Sequence, residues 1–179
     1  MRTNRKLARA LGEGSGFTLV EVLVAAMILV VALIGIATMF PVGYRQIADA
    51  GRMTMAVSGA RQILEDVGTL PFDPNIANLN NFDTTNVASV PAADPERALA
   101  RRIRYMLAGP GDGFTFTAAE VAEWGNVTPF GGRAQVWVND AANCPGPGAM
   151  PNVRRVCVTV TVPGLPTAVS VNTIIARVF

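Results

Sequence analysis

Between Phe17 and Phe40 the chain runs for 24 residues with one charged side chain, Glu21. As an α-helix rising ~1.5 Å per residue this run reaches roughly 36 Å, against about 30 Å for the hydrocarbon core of a bilayer. It is long and apolar enough to cross a membrane. A carboxylate in such a helix costs on the order of 2.5–3.5 kcal/mol at the bilayer centre, and less near an end, so it is rarely kept without a partner. Glu21 therefore demands an explanation that the apolar residues around it do not supply.

Charge is distributed unevenly around this run. Residues 1 to 16 hold Arg2, Arg5, Lys6 and Arg9 against Glu13, while the whole chain carries 15 basic and 13 acidic side chains. The positive excess belongs to the first sixteen residues and the remainder is slightly acidic. The positive-inside bias keeps the basic end in the cytoplasm and passes the rest across the membrane, and overall basicity is no argument for nucleic-acid binding. There is no histidine, which removes the commonest general base and metal ligand. With no metal cluster, phosphate loop or nucleophile arrangement legible in the sequence, neither an enzyme nor a cofactor is expected. The acidic residues after position 100, Asp112, Glu120, Glu123 and Asp140, lack the close spacing of a calcium loop.

A secretory signal places small residues after an apolar stretch of about 7–15 residues. Here the apolar run is much longer and the small pair, Ser15-Gly16, precedes it. Ala48-Asp49-Ala50 offers an ordinary cleavage pattern, but Pro41 and a polar stretch separate it from the run. An uncleaved anchor accounts for the apolar length alone. The order of a basic peptide, Gly16, then Phe17-Thr18-Leu19-Val20-Glu21 and a continuous apolar helix resembles the class III leader of type IV prepilins and pseudopilins.

That resemblance implies cutting between Gly16 and Phe17 by a prepilin peptidase, a membrane aspartic peptidase, with N-methylation of the new Phe17 amine. Removing residues 1–16 from a chain of 179 leaves 163. It also implies that Glu21 neutralises the terminal amine of a neighbouring subunit during filament assembly, in a low-dielectric setting where the attraction is strong. The amine of its own Phe17, about one helical turn away, is the alternative partner, and the sequence does not choose between them.

Pro41 and Gly43 close the apolar run. Proline removes an intrahelical hydrogen bond and clashes with the preceding turn, so a kink or local melt is expected over residues 37–43. From Tyr44 to Val67 helical period returns, with Ile47, Ala50, Thr54, Val57, Ala60, Leu64 and Val67 on one face. Arg45, Asp49, Arg52, Arg61 and Glu65 face water, with Arg61 and Glu65 an i,i+4 pair, and Gly68 followed by Pro71 stops the helix. One helix is thus expected over 17–67: a transmembrane or filament-core segment, 17–43, and an amphipathic segment, 44–67, that opens a head domain of residues 44–179.

Within the head, residues 71–93 read as an irregular connection in a linking region, 68–111. Asp94-Pro95-Glu96 supplies an N-cap, a first-position proline and an acidic first turn for a helix to about Leu107, with Leu99, Ile103 and Met106 inward. Arg97, Arg101 and Arg104 share another side and Arg102 adds a fourth charge. A solvated face is expected; an anionic-ligand or nucleic-acid contact is the alternative, without the aromatic platform that stacks bases.

The last third, 112–179, alternates with period two around Phe114 and Phe116, Val136 and Val138, Val156 to Val162, and Val169 to Ile175, separated by turn residues. This predicts an antiparallel sheet of about four strands whose apolar face the amphipathic helix covers. The fold class is α+β, a long N-terminal helix packed on a C-terminal antiparallel sheet, which is the type IV pilin-like arrangement. Cys144 and Cys157 fall in the part expected to face outward, where a disulfide persists, and one pair allows one connectivity. The resemblance, in which a disulfide often pins the C-terminal region, supports the bond.

The resemblance implies a structural subunit most like a minor pilin of the PilV-like kind, taking part in type IV pilus assembly or initiation. Its implied partners are the prepilin peptidase, other pilin or pseudopilin subunits, an inner-membrane assembly platform, and membrane lipid before assembly. The implied location is the bacterial inner membrane, single-pass with the N-terminus cytoplasmic, and then a periplasmic or extracellular filament. A pseudopilin of a type II secretion system is the alternative, as is a pilin whose head binds DNA or a surface.

Overall fold

The computed structural model describes residues 16–146 and 150–177. The leader residues before Gly16, the middle of the turn-rich stretch from Pro145 to Pro151, and the last two residues of the chain lie outside the described residues. Helix α1 spans Leu19–Gly68 without interruption. No melt interrupts the helix over residues 37–43, and helical conformation continues through Pro41 and Gly43. An interior proline costs about 3 kcal/mol through one lost hydrogen bond and a steric clash, whereas helix propagation on both sides is cooperative and keeps the register.

The chain divides into two compact units, residues up to Gln46 and residues from Ile47 onward, and α1 contributes to each. In the first, every described residue from Gly16 to Val42 is exposed. In the second, α1 buries Ala56, Ala60, Ile63, Leu64 and Val67. The inward stripe therefore starts later than the helical period suggested, since Ile47 is 70% exposed and Ala50 and Thr54 are exposed as well. Arg61 and Glu65 are exposed, but the ion pair on this helix joins Asp49 to Arg52 at 3.1 Å.

Four antiparallel strands form one sheet in the order β1-β2-β3-β4: β1 Phe82–Asp83, β2 Arg133–Val138, β3 Val153–Thr161 and β4 Val169–Ala176. Strands β2 to β4 fall where period two placed them. The first strand does not. Phe114 closes a turn through its bridge to Gly111 and Phe116 follows in irregular conformation, and β1 lies instead in the stretch read as irregular. Two residues are too short to show a period; their pairing is set by partners far along the chain. Phe82 faces Val136 and Asp83 faces Gln135, Thr84 N–H donates to Ala134 O at 3.0 Å, and Ala134 N–H donates to Thr84 Oγ1 at 2.9 Å.

The valines of the sheet supply the core. Ala134, Val136 and Val138 of β2, Val156, Val158 and Val160 of β3, and Val169 of β4 are buried with the α1 stripe and with Ile76, Leu79 and Phe82. Each such side chain contributes roughly 1.5–3 kcal/mol by leaving water. Helix α2, Asn75–Asn78, and helix α3, Glu96–Ala108, complete the cover. On α3 Leu99, Ala100, Ile103 and Leu107 are buried, while Met106 is half-buried. The expected Asp94 cap does not form. Pro95 occupies the cap position without a side-chain bond, and Asp94 accepts from Arg97 instead, at 2.7 Å. The chain end is held by Phe72, with the Arg154 and Arg177 guanidinium groups 4.9 and 5.8 Å from its ring centre, and by Asp73, 2.6 Å from Arg154.

A side-chain carbon added at Gly59 of α1 would meet Leu107 Cδ2 and Phe130 Cζ at 3.5 Å each, ordinary contact distances. Gly59→Ala should therefore stabilise the protein by about 0.5–1 kcal/mol through helix entropy. The check is the melting temperature of the detergent-solubilised full chain, which a steric conflict would lower rather than raise.

Candidate functional site

The N-terminal site is built from Gly16 to Val22 and the helix that follows. Gly16, Phe17 and Thr18 precede α1 in irregular conformation, and Phe17 is 80% exposed. A side-chain carbon at Gly16 would meet nothing within 4 Å, so the fold itself does not require glycine there. Thr18 starts the helix. Its Oγ1 accepts from the Glu21 N–H at 3.2 Å, and its carbonyl accepts from the N–H groups of Glu21 and Val22 at 3.0 and 3.2 Å. Threonine at the cap with glutamate three residues on is the spacing of a capping box. The motif was legible in Thr18-Leu19-Val20-Glu21, and it gives Glu21 a local role: a carboxylate in the first turn complements the positive end of the helix dipole.

Beyond Glu21 the helix presents apolar side chains on all sides. Met27, Ile28, Val31 and Met39 are between 63% and 73% exposed. The hydroxyl of Thr38 donates to the Gly35 carbonyl at 2.8 Å, which satisfies it within the helix, as an apolar medium requires. The described helix is thus long and apolar enough to cross a membrane.

Arg97, Arg101 and Arg104 of α3 do not form one basic face. Arg97 stays at the surface with Asp94. Arg101 makes a two-pronged pair with Glu120, 2.6 Å from Nε to Oε1 and 3.0 Å from Nη2 to Oε2, and Nη2 also donates to the Thr115 carbonyl. Arg104, expected in water, is 4% exposed. Its Nε donates to Gly109 O and its Nη1 to Thr84 O, both at 2.8 Å, and Nη1 lies 3.0 Å from Asp112 Oδ2. The missing signal was the set of acceptors, which come from loops that periodicity does not read. Arg97 and Arg101 still share a shallow cleft of about 420 Å³ with Asp94, Glu120, Glu123 and Trp124.

Glu120 belongs to a helix that period analysis missed, α4, Ala118–Trp124, although Thr117-Ala118-Ala119-Glu120 spells its capping box. Thr117 Oγ1 accepts from Glu120 N–H at 3.2 Å, and Glu120 Oε2 accepts from Thr117 N–H at 2.7 Å. The Arg101 guanidinium, more than burial opposes it, draws the Glu120 carboxyl down to about 2. At Asp83 burial works against the charge, but hydrogen bonds from Arg133, Thr85 and Gln135 outweigh it and hold the group well below the usual range. Burial likewise opposes the charge of Glu96, 2% exposed, and the Asn75 and Asn78 amides that bond it lower its pKa nonetheless.

Cys144 and Cys157 form the expected disulfide, with Cα atoms 5.5 Å apart. Cys157 sits within β3, between Trp137 of β2 and Asn172 of β4. Cys144 is brought to it by Asp140, whose Oδ1 accepts from the N–H groups of Ala142 and Asn143 at 2.9 and 2.7 Å and whose carbonyl accepts from Cys144 N–H. A bridge over 13 residues contributes about 3 kcal/mol in the chain-entropy account. Among the described residues no group of three or more potential metal ligands comes together.

Comparison of the chain with protein-family models, with curated proteins and with solved structures finds no match in any of the three.

The depressed pKa of Glu120 fixes the direction of an acid effect. Its contribution to stability is complete above the ordinary value of 4.5 and is lost as pH falls toward about 2. Glu120→Gln should cost about 1–3 kcal/mol at pH 7 and flatten the stability profile between those two pH values. Denaturant titration of both proteins at pH 7 and pH 3 reads this, and an equal loss at the two pH values would refute the assignment.

Proposed function

We propose that this chain is a membrane-anchored precursor of a filament subunit, of the type IV pilin class. Within that class the reading is a minor pilin of a type IV pilus. A prepilin peptidase cuts between Gly16 and Phe17, the Phe17 amine is methylated, and the apolar half of α1 passes from lipid into a core of packed helices contributed by neighbouring subunits. The inner membrane holds the chain before assembly, an assembly platform extracts it, and the disulfide-bonded head is carried on the outside.

The observation that carries this reading is the conjunction at the start of α1. A glycine that the fold does not need stands immediately before an exposed phenylalanine, a threonine-capped helix start and one carboxylate, followed by a helix exposed and apolar through Val42. A plain membrane anchor accounts for the helix, and the helix dipole tolerates a first-turn carboxylate, but neither requires the glycine. Cleavage accounts for the glycine, which a cutting enzyme reads, and adds a partner for the carboxylate, since the amine it releases is a cation within reach of the first turn. The α+β head, with its helix laid on an antiparallel sheet, is compatible with this class.

Gly16→Leu should leave a precursor heavier by the sixteen leader residues, observed by intact mass of the membrane-bound protein in its native host; normal processing would end the cleavage proposal. Glu21→Ala should insert at least as well as the parent, because it removes a charge worth about 2–3 kcal/mol at depth. The same variant should fall at least about tenfold in sheared filament fractions or in co-purified assembly complexes, the loss expected when one buried ion pair is broken. Undiminished incorporation would refute the charge-pair role.

A further inference from the structure

The sheet closes one edge and leaves the other open. At β1 the outward N–H of Asp83 donates to Ser89 Oγ at 2.9 Å, and that hydroxyl reaches the Asp83 carbonyl at 3.0 Å. Ser89 comes from a 3-10 turn, Val87–Ser89, so the outer side of this short strand is satisfied from within the domain. At the other edge β4 pairs with β3 alone among the described residues.

Free edges are ordinarily protected by charge, proline, a bulge or brevity. Strand β4 has eight residues, Val-Ser-Val-Asn-Thr-Ile-Ile-Ala, with no charge and no proline. Five of them are β-branched, the composition that suits strand pairing. Ile174 is 63% exposed. The helix-facing side also loses cover along the strand, from buried Val169 to half-buried Val171, Thr173 and Ile175. There a cavity of about 350 Å³ opens between α1 and β4, lined by Arg61, Leu64 and Glu65 on one wall and Asn172, Thr173 and Ile175 on the other.

We propose that β4 receives an extended segment of another protein as a fifth strand. Backbone bonds along β4 supply the affinity and alternate side chains the specificity. The segment is uncharged and β-branched where it lies along β4, and places apolar side chains against Leu64 and Ile175. Charge complementarity adds an acidic residue toward Arg61 and a basic one toward Glu65, which are exposed on the rim and joined to no ion pair among the described residues. A second copy of this chain fits less well. Its β1 is closed by Ser89, and its β4 carries no acidic or basic residue to meet Arg61 and Glu65.

The test uses this chain in detergent micelles and the blocked peptide Thr-Val-Thr-Glu-Thr-Arg-Thr-Val, whose two charges share a face about 7 Å apart, with hydrogen exchange read at β4. Saturating peptide should slow exchange there by about tenfold or more. The same peptide N-methylated at alternate residues should not protect. Exchanging the rim charges, Arg61→Glu with Glu65→Arg, should weaken the parent peptide and restore binding to one with its two charges exchanged. No protection, or equal protection by the methylated peptide, would overturn strand addition. Protection that grows with protein concentration in the absence of peptide would overturn the choice of occupant and assign the edge to a second copy. Because no cleavage step is involved, failure here leaves the processing proposal standing, and failure of processing leaves strand addition standing.

Discussion

The apolar surface of residues 19–42 is the constraint from which the other features of this chain follow. Side chains of this kind, exposed around the whole helix, are stable in lipid or against other apolar helices and are costly in water. Any carboxylate kept within that surface needs a position where its charge is tolerated. The first helical turn is such a position, because the capping bond from Glu21 N–H to Thr18 Oγ1 fixes the helix start and the aligned peptide dipoles favour negative charge there. The same geometry sets the carboxylate near the segment that a peptidase would open. Local helix chemistry and the assembly chemistry proposed for Glu21 therefore do not compete.

The head solves a different problem with less material. Its helix offers mainly small residues at the first contacts, Ala56 and Ala60, before the larger Ile63 and Leu64. The sheet answers with valines at alternate positions of β2 and β3. The connection between them is held by polar contacts rather than by apolar volume: Arg104 gathers carbonyls from two loops, Glu96 receives two amides from α2, and Asp83 receives the Arg133 guanidinium and the Gln135 amide. In such a scheme the arginines and carboxylates act as internal struts. Removing one partner leaves a buried polar group unsatisfied, which costs more than the net worth of the bond itself.

What could be read from the sequence followed from repetition and capping. The long helix, α3, the three longer strands and the disulfide each left a signal: an apolar run, a helical or twofold period, or a single pair of cysteines. What escaped reading lacked a repeat. Strand β1 is two residues whose place depends on β2, some fifty positions later. Phe114 and Phe116 alternate with threonines as a strand would, yet the glycines around Asp112 turn the chain, with Asp112 itself at φ 50°, and Phe114 is buried beneath Arg104. Arg104 carries the same sequence signal as Arg97, and only the acceptors brought by the fold distinguish a buried strut from a solvated charge. At the N-terminal site the glycine, the carboxylate and the apolar helix were all legible; the capping role of Thr18 rests on one residue and one bond, which no repeat announces. The helix that continues through Pro41 shows the opposite case, a strong local breaker overruled by the cooperativity of long flanking segments.

The hydroxyl of Ser89 that satisfies the outer side of β1 has a consequence for how copies of this chain associate. A sheet propagates from molecule to molecule only when each unit offers two edges, one to give and one to take. With β1 already satisfied by its own side chain, a molecule of this kind offers one, so edge pairing between identical copies ends at two and does not grow into a ribbon. An uncharged, β-branched edge is thus carried without the open-ended stacking that such an edge invites elsewhere.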